Sequence, residues 1–175
     1  MPKDKRGTVN VALVGNPNVG KSVIFNALTG ARATVSNYPG TTVGVSRGVA
    51  RIGDTSMEIV DTPGMYSLLP ITEEEQVARA VLFDVRPDLA VNVVDARNLE
   101  RMLVLTVQLI EAGLEIILVL NMMDEARAAG VSIDCTGLSE RFGLPVIPMV
   151  AVSGEGMDLL KEALRGCSPE NRGNA

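Results

Sequence analysis

Compact apolar runs alternate with amphipathic stretches along most of this chain. The runs at Val9–Val14, 45–52, 57–60, 89–94, 116–120 and 146–150 are short and rich in Val, Ile and Leu, the signature of six strands. Between them lie helical patterns. Residues 23–29 continue as a helix that stops at Gly30, and 99–112 carry helical apolar spacing that stops at Gly113. Thr72 followed three residues later by Glu75, with Glu73 and Glu74 between them, is a capping box opening a helix that runs to about Asp84. A broken helical region spans 125–142, and a last helix covers 157–164 after Gly154-Glu155-Gly156. Gly53-Asp54 joins two strands as an antiparallel hairpin. Residues 31–44 have no clean period and contain Pro39-Gly40, so they read as a long loop, a kind that is usually functional. The alternation of strands and helices predicts an α/β fold: a six-stranded, mostly parallel sheet with one antiparallel edge strand and helices on both faces. In such sheets ligands bind outside the carboxyl ends of the strands. Residues 1–7 are expected to form a flexible basic leader, 8–166 one domain, and 167–175 a disordered tail.

Composition narrows the chemistry. The chain is 46% hydrophobic but only 3% aromatic, so its core must be aliphatic, as suits a parallel sheet covered by helices. A net charge of −5 argues against a nucleic-acid surface. With no histidine and only two distant cysteines, Cys135 and Cys167, a zinc site is not expected, and a reducing compartment fits best. No apolar run reaches the ~18 residues that a membrane span needs. Membrane insertion by this stretch is therefore not expected.

The strand ends carry the motifs. Gly15-Asn16-Pro17-Asn18-Val19-Gly20-Lys21-Ser22 reads G-x-x-x-x-G-K-S between a strand and a helix, so it is a phosphate-binding loop. Its amides and the helix N-terminus through Val23 cradle phosphate, Lys21 adds a cation, and the Ser22 hydroxyl is a Mg²⁺ ligand candidate. Asp61-Thr62-Pro63-Gly64 follows a strand about forty residues on: Asp61 suits Mg²⁺, and the Gly64 N–H suits a γ-phosphate. In the long loop, adjacent Thr41 and Thr42 are candidates to complete the Mg²⁺ shell, with Thr42 preferred. Asn121-Met122-Met123-Asp124 selects the base. A carboxylate at Asp124 accepts from N1–H and the exocyclic amine of guanine, whereas adenine would leave it unpaired. Asn121 would brace neighbouring loops and Met122 would cover the purine ring, while Ala151-Val152-Ser153 would offer a backbone N–H to the guanine carbonyl.

These five elements, in this order, resemble the Ras-like P-loop GTPase superfamily. The finer sequence resembles the N-terminal G domain of FeoB, the bacterial ferrous iron transporter family. Asn37-Tyr38-Pro39-Gly40-Thr41-Thr42-Val43, Asp61 through Leu68, Glu74-Glu75 with Val77-Ala78-Arg79, and the Asn-Met-Met-Asp form carry the likeness over about 8–165. The resemblance implies slow Mg²⁺-dependent GTP hydrolysis to GDP at the cytoplasmic face of the inner membrane, as a switch coupled to Fe²⁺ uptake. It also implies K⁺ near the phosphates at Asn18, standing in for an arginine finger, and no glutamine after the Asp-x-x-Gly motif. Met65 stands at that position here, leaving backbone groups of 31–44 to orient the water. Implied partners are the family's helical and membrane domains, with oligomerisation open. Two alternatives stand beside this: a ribosome-assembly or tRNA-modification GTPase, and a nucleotide-responsive binding module with negligible hydrolysis. Where the family commonly has Leu, this chain has Thr62.

Overall fold

The computed structural model describes residues 8–30 and 33–167. The expectations for the leader and for the tail beyond Cys167 lie outside them. In chain order the elements are β1 (Val9–Val14), α1 (Lys21–Thr29), β2 (Ala33–Asn37), β3 (Gly44–Ile52), β4 (Thr55–Asp61), α2 (Glu73–Ala80), β5 (Leu89–Asp95), α3 (Leu99–Glu111), β6 (Ile116–Asn121), α4 (Met123–Ala128), α5 (Cys135–Phe142), β7 (Val146–Pro148) and α6 (Met157–Gly166). The predicted α/β architecture is present, with the strands ordered β2-β3-β4-β1-β5-β6-β7.

The strand count needs one correction. The sheet has seven strands because part of the expected loop, β2, pairs antiparallel with β3. All five β2 residues are exposed, so main-chain pairing alone holds the strand and no apolar pattern announces it. The antiparallel character therefore does not sit in a single edge strand: β3 runs against both β2 and β4, and β2 forms the edge. From β4 inward every pairing is parallel.

The central strands are buried on both faces, and β5 and β6 have no exposed residue. One face packs Val11, Leu13, Ile24, Phe25, Ile59, Val93 and Leu160 together under α1 and α6. The other packs Val14, Met65, Val77, Leu82, Leu105 and Leu109 under α2 and α3. This two-sided burial forces each parallel strand to hand over to a loop at its carboxyl end. The phosphate loop, Asp61, Asp95, Asn121 and Val150 thus come to one edge of the sheet. The capping box at Thr72 forms as predicted, with Glu75 N–H donating to Thr72 Oγ1 and the Glu75 carboxylate accepting from Thr72 N–H. The helical path continues past α2 as a single π turn over Val81–Val85.

A nucleotide-shaped edge built from five loops

The phosphate loop is held by its carbonyls. Gly15 O accepts from Met65 N–H at 3.1 Å and from Lys21 Nζ at 3.0 Å, and Asn16 O accepts from Lys21 Nζ at 2.8 Å. Val19 O accepts from Asn121 Nδ2 at 2.9 Å. Gly20 has φ +96°, and a Cβ there would lie 2.3 Å from Asn121 Nδ2, so only glycine admits this contact. Helix α1 starts at Gly20 with no side-chain cap and no acid in its first turn, leaving its N–H groups and positive dipole end open. Lys21 is 7% exposed, and burial lowers its ammonium from 10.5 to about 8 against the opposing pull of Asp61. Asn18 is exposed, with the left-handed φ of 62° that asparagine tolerates.

Asp61 ends β4, and its Oδ2 accepts from Ser22 Oγ at 2.7 Å. Its Oδ1 is buried with no partner among the described residues, and burial raises the carboxyl's pKa more than Ser22 and Lys21 lower it. An orphaned carboxylate oxygen beside a hydroxyl is a hard-oxygen donor set, which fits Mg²⁺. Gly64 lies so close to the phosphate loop that a Cβ would meet Pro17 Cγ at 2.6 Å and Pro17 N at 2.7 Å. Thr62 turns its hydroxyl to Leu13 O at 2.7 Å, anchoring the motif on β1. The two adjacent threonines separate cleanly. Thr41 Oγ1 donates to Tyr38 O at 2.9 Å and accepts from Val43 N–H at 3.2 Å, so it is used by its own turn. Thr42 is exposed beside Asp61 and Gly64. Met65 is fully buried in the core, so no side chain there reaches the phosphate edge.

On the other side, Asn121 is 4% exposed and braces two loops: besides Val19 O, its Oδ1 accepts from Ala151 N–H at 2.9 Å. That engages the Ala151 amide. Ser153 N–H in turn bonds Val150 O, leaving the Val152 N–H, of the three predicted, unpaired among the described residues. Asp124 is exposed in the first turn of α4.

Two cavities result. One of about 400 Å³ is lined by Asn121, Met122, Asp124, Glu125, Ala151 and Val152. The other, about 560 Å³, is lined by Pro17, Thr42, Val43, Asp61, Pro63 and Gly64. Asn18, Lys21 and Ser22 belong to both, so the phosphate loop is the wall through which they communicate. Gly20 and Val23 line the first cavity. Gly15, Asn16 and Val19 support from behind, and Ser153 lines neither cavity.

Two residues that hold the site, Gln108 and Arg97, went unnoticed in the sequence, and a third, Glu75, read as a helix cap and as part of the family likeness. Glu75, 6% exposed, takes the N–H groups of Ile71 at 2.8 Å and Tyr66 at 3.1 Å as well as its cap, which lowers its carboxyl. Gln108 Oε1 accepts from Leu68 N–H at 2.8 Å. Arg97 joins Asp95 to Glu125 and Met122. Only Glu75 carried a signal, the capping box, and that pattern says nothing about the loop before it.

Comparison with known proteins matches the fold. A fusion of Fe(2+) transport protein A and Fe(2+) transporter FeoB from Porphyromonas gingivalis is 47% identical over 157 residues, covering 89% of this chain and 19% of that protein. The FeoB G domain of Methanococcus jannaschii is 40% identical with a TM-score of 0.81, covering 92% of this chain and 97% of that one. The cytosolic domain of the Thermotoga maritima FeoB iron transporter, solved in a GMPPNP form, is 38% identical with a TM-score of 0.87, covering 91% and 64%. The chain spans about a fifth of the length of the curated relatives it matches. No described helix is long and apolar enough to cross a membrane. The family model described as ferrous iron transport protein B matches residues 9–164, so this chain, with its P-loop GTPase fold and nucleotide edge, belongs to that family as a FeoB G domain.

Proposed function

We propose that this chain binds guanine nucleotide with Mg²⁺ and K⁺ and slowly hydrolyses GTP, acting as the switch of a ferrous iron transporter. It would do so at the cytoplasmic face of the inner membrane, joined to helical and membrane domains. The observation that carries the reading is the pair of cavities meeting at Asn18, Lys21 and Ser22. One has room and donors for a purine, and the other gathers carboxylate, hydroxyl and ammonium where a triphosphate would end.

Asp124 accepts from the guanine N1–H and amine, and the Val152 N–H donates to the guanine carbonyl. Met122 covers the ring. The loop amides of Asn16 and of 18–23, together with the open end of α1, hold the phosphates. Ser22, Asp61 and Thr42 would hold Mg²⁺, and Asn18 K⁺; when bound, the two cations neutralise charge that develops on the transferring phosphoryl group. Lys21 would reach the outer phosphates, and the Gly64 N–H would report the γ-phosphate. Hydrolysis is in-line attack of water on that phosphorus, giving GDP and phosphate. Buried Met65 takes no part, so main-chain groups near Thr42 must orient the water. The same burial favours one second reading, a nucleotide-responsive module that barely hydrolyses.

Single-turnover GTP hydrolysis in K⁺ and in Na⁺ separates the two. Asn18→Gly removes the side chain without straining the left-handed backbone. The proposal expects faster turnover in K⁺ for the wild type and no cation effect in Asn18→Gly, with GDP affinity kept. Equal rates in both salts count against the cation site, and absent turnover in either favours the binding module.

A further inference from the structure

Asp95 closes β5 and is 4% exposed, and its register partner on the neighbouring strand is Asn121, where the base-reading loop begins. A buried carboxylate at such an edge demands a partner, and Arg97 supplies it two residues on. Arg97 Nε and Nη2 fork onto the Asp95 carboxylate at 2.9 Å and 2.7 Å, while its backbone N–H adds a third bond at 2.9 Å. Asn98 Nδ2 donates to the same carboxylate at 3.2 Å. The remaining guanidinium donors point away from Asp95. Nη1 donates to Glu125, and Nη2 lies 3.3 Å from the Met122 thioether sulfur.

Both targets flank Asp124 and line the base-side cavity. Met122 holds a left-handed φ of 62°, costly for a side chain of this kind, and it starts α4 without any side-chain cap. Such a residue keeps that conformation only when its surroundings over-determine it. Asn121 restrains the chain on one side of it and Arg97 restrains its side chain and the next turn on the other. The guanidinium is a rigid fork, so holding Asp95 with one edge fixes where its other edge can meet α4.

We propose that Arg97 is a positioning residue for base recognition: by tying buried Asp95 to Met122 and Glu125, it sets the angle at which Asp124 meets the guanine. This rests on the reading of Asp124 as the base selector.

The test uses the whole chain and compares GDP with IDP, which lacks the exocyclic amine. Arg97→Lys keeps a positive charge for Asp95 but cannot span to α4 at the same time. The expected result is near-wild-type thermal stability, GDP release faster by about threefold to tenfold, and a narrowed GDP-over-IDP preference, as for losing one or two charge-assisted contacts. Glu125→Gln, which leaves Asp95 fully paired, should speed GDP release in the wild type and add little in Arg97→Lys. Wild-type release and preference in Arg97→Lys overturn the proposal, making Arg97 only the counter-charge of Asp95. Equal weakening of GDP and IDP also overturns it. If the wild type itself shows no preference for GDP over IDP or ADP, the Asp124 reading fails first and this one falls with it.

Discussion

Truncating Asn121 tests the central claim that the two cavities share one rigid wall. Asn121→Ala removes the donor to Val19 O and the acceptor for Ala151 N–H, both made at 2.9 Å. Val19 is 1% exposed and Ala151 7% exposed, so neither orphaned group is well placed for bulk water. Each unsatisfied buried polar group costs about 1–3 kcal/mol, and partial hydration from the adjoining cavity lowers the total to about 2–4 kcal/mol. For a domain of this size that corresponds to a fall in Tm of about 5–15 °C. The measurement is thermal unfolding without nucleotide, since bound ligand would mask the loss by mass action. A second substitution sharpens it. Gly20→Ala puts a Cβ 2.3 Å from Asn121 Nδ2 on a backbone at φ +96°. In the wild type it meets clash and backbone strain; in Asn121→Ala the clash is gone and only the strain, about 1–2 kcal/mol, remains. The pair should therefore couple by about 1 kcal/mol or more. A Tm change below about 1 °C for Asn121→Ala, or additive losses in the double variant, would refute the bracing argument.

Lys21 predicts an unusual pH profile. Its pKa falls from 10.5 to about 8 in the fold, so between those values the unfolded chain binds more protons and stability rises with pH. Urea unfolding of the nucleotide-free protein should give a higher midpoint at pH 9.5 than at pH 7.5, and Lys21→Met should abolish that rise; parallel profiles would disprove the assignment. Gly64→Ala should separate the loops, because the added Cβ runs into Pro17 backbone 2.7 Å away. GTP-analogue affinity should fall at least about tenfold, while GDP affinity, which needs no γ-phosphate contact, changes less; equal losses for both ligands would argue against the γ-phosphate role.

The phosphate loop was legible because strand, glycine turn and helix are consecutive, so local pattern and site coincide. The same holds for Asp61 at the end of β4 and for the capping box at Thr72. What stayed hidden depends on partners far along the chain. β2 buries no side chain and exists through its ladder to β3, so no apolar pattern marks it. The choice among Ala151, Val152 and Ser153 turns on Asn121, thirty residues earlier, which takes the Ala151 amide. Thr62 read only as a departure from leucine, because its hydroxyl bond to Leu13 lies across two strands. Arg97 looked like an ordinary surface arginine, and its meaning comes from Asp95 being buried and from α4 folding back 25–28 residues later.

The carbonyl bonds of the phosphate loop tie both cavities to one wall. Gly15 O is taken by Met65 and Lys21, Asn16 O by Lys21, and Val19 O by Asn121. With those acceptors turned inward, the loop's amides are left facing outward, where only an anion satisfies several at once. The cost falls on Lys21, whose burial lowers its pKa to about 8 despite the opposing charge of Asp61, itself pushed toward its neutral form by burial. Phosphate charge would relieve that penalty at the ammonium, and a divalent cation would partner the orphaned Asp61 Oδ1. Two motifs touch the loop through its carbonyls: Met65 on the side of residues 61–72, and Asn121 on the base side. A ligand that reaches only one cavity would meet only one of these two motifs.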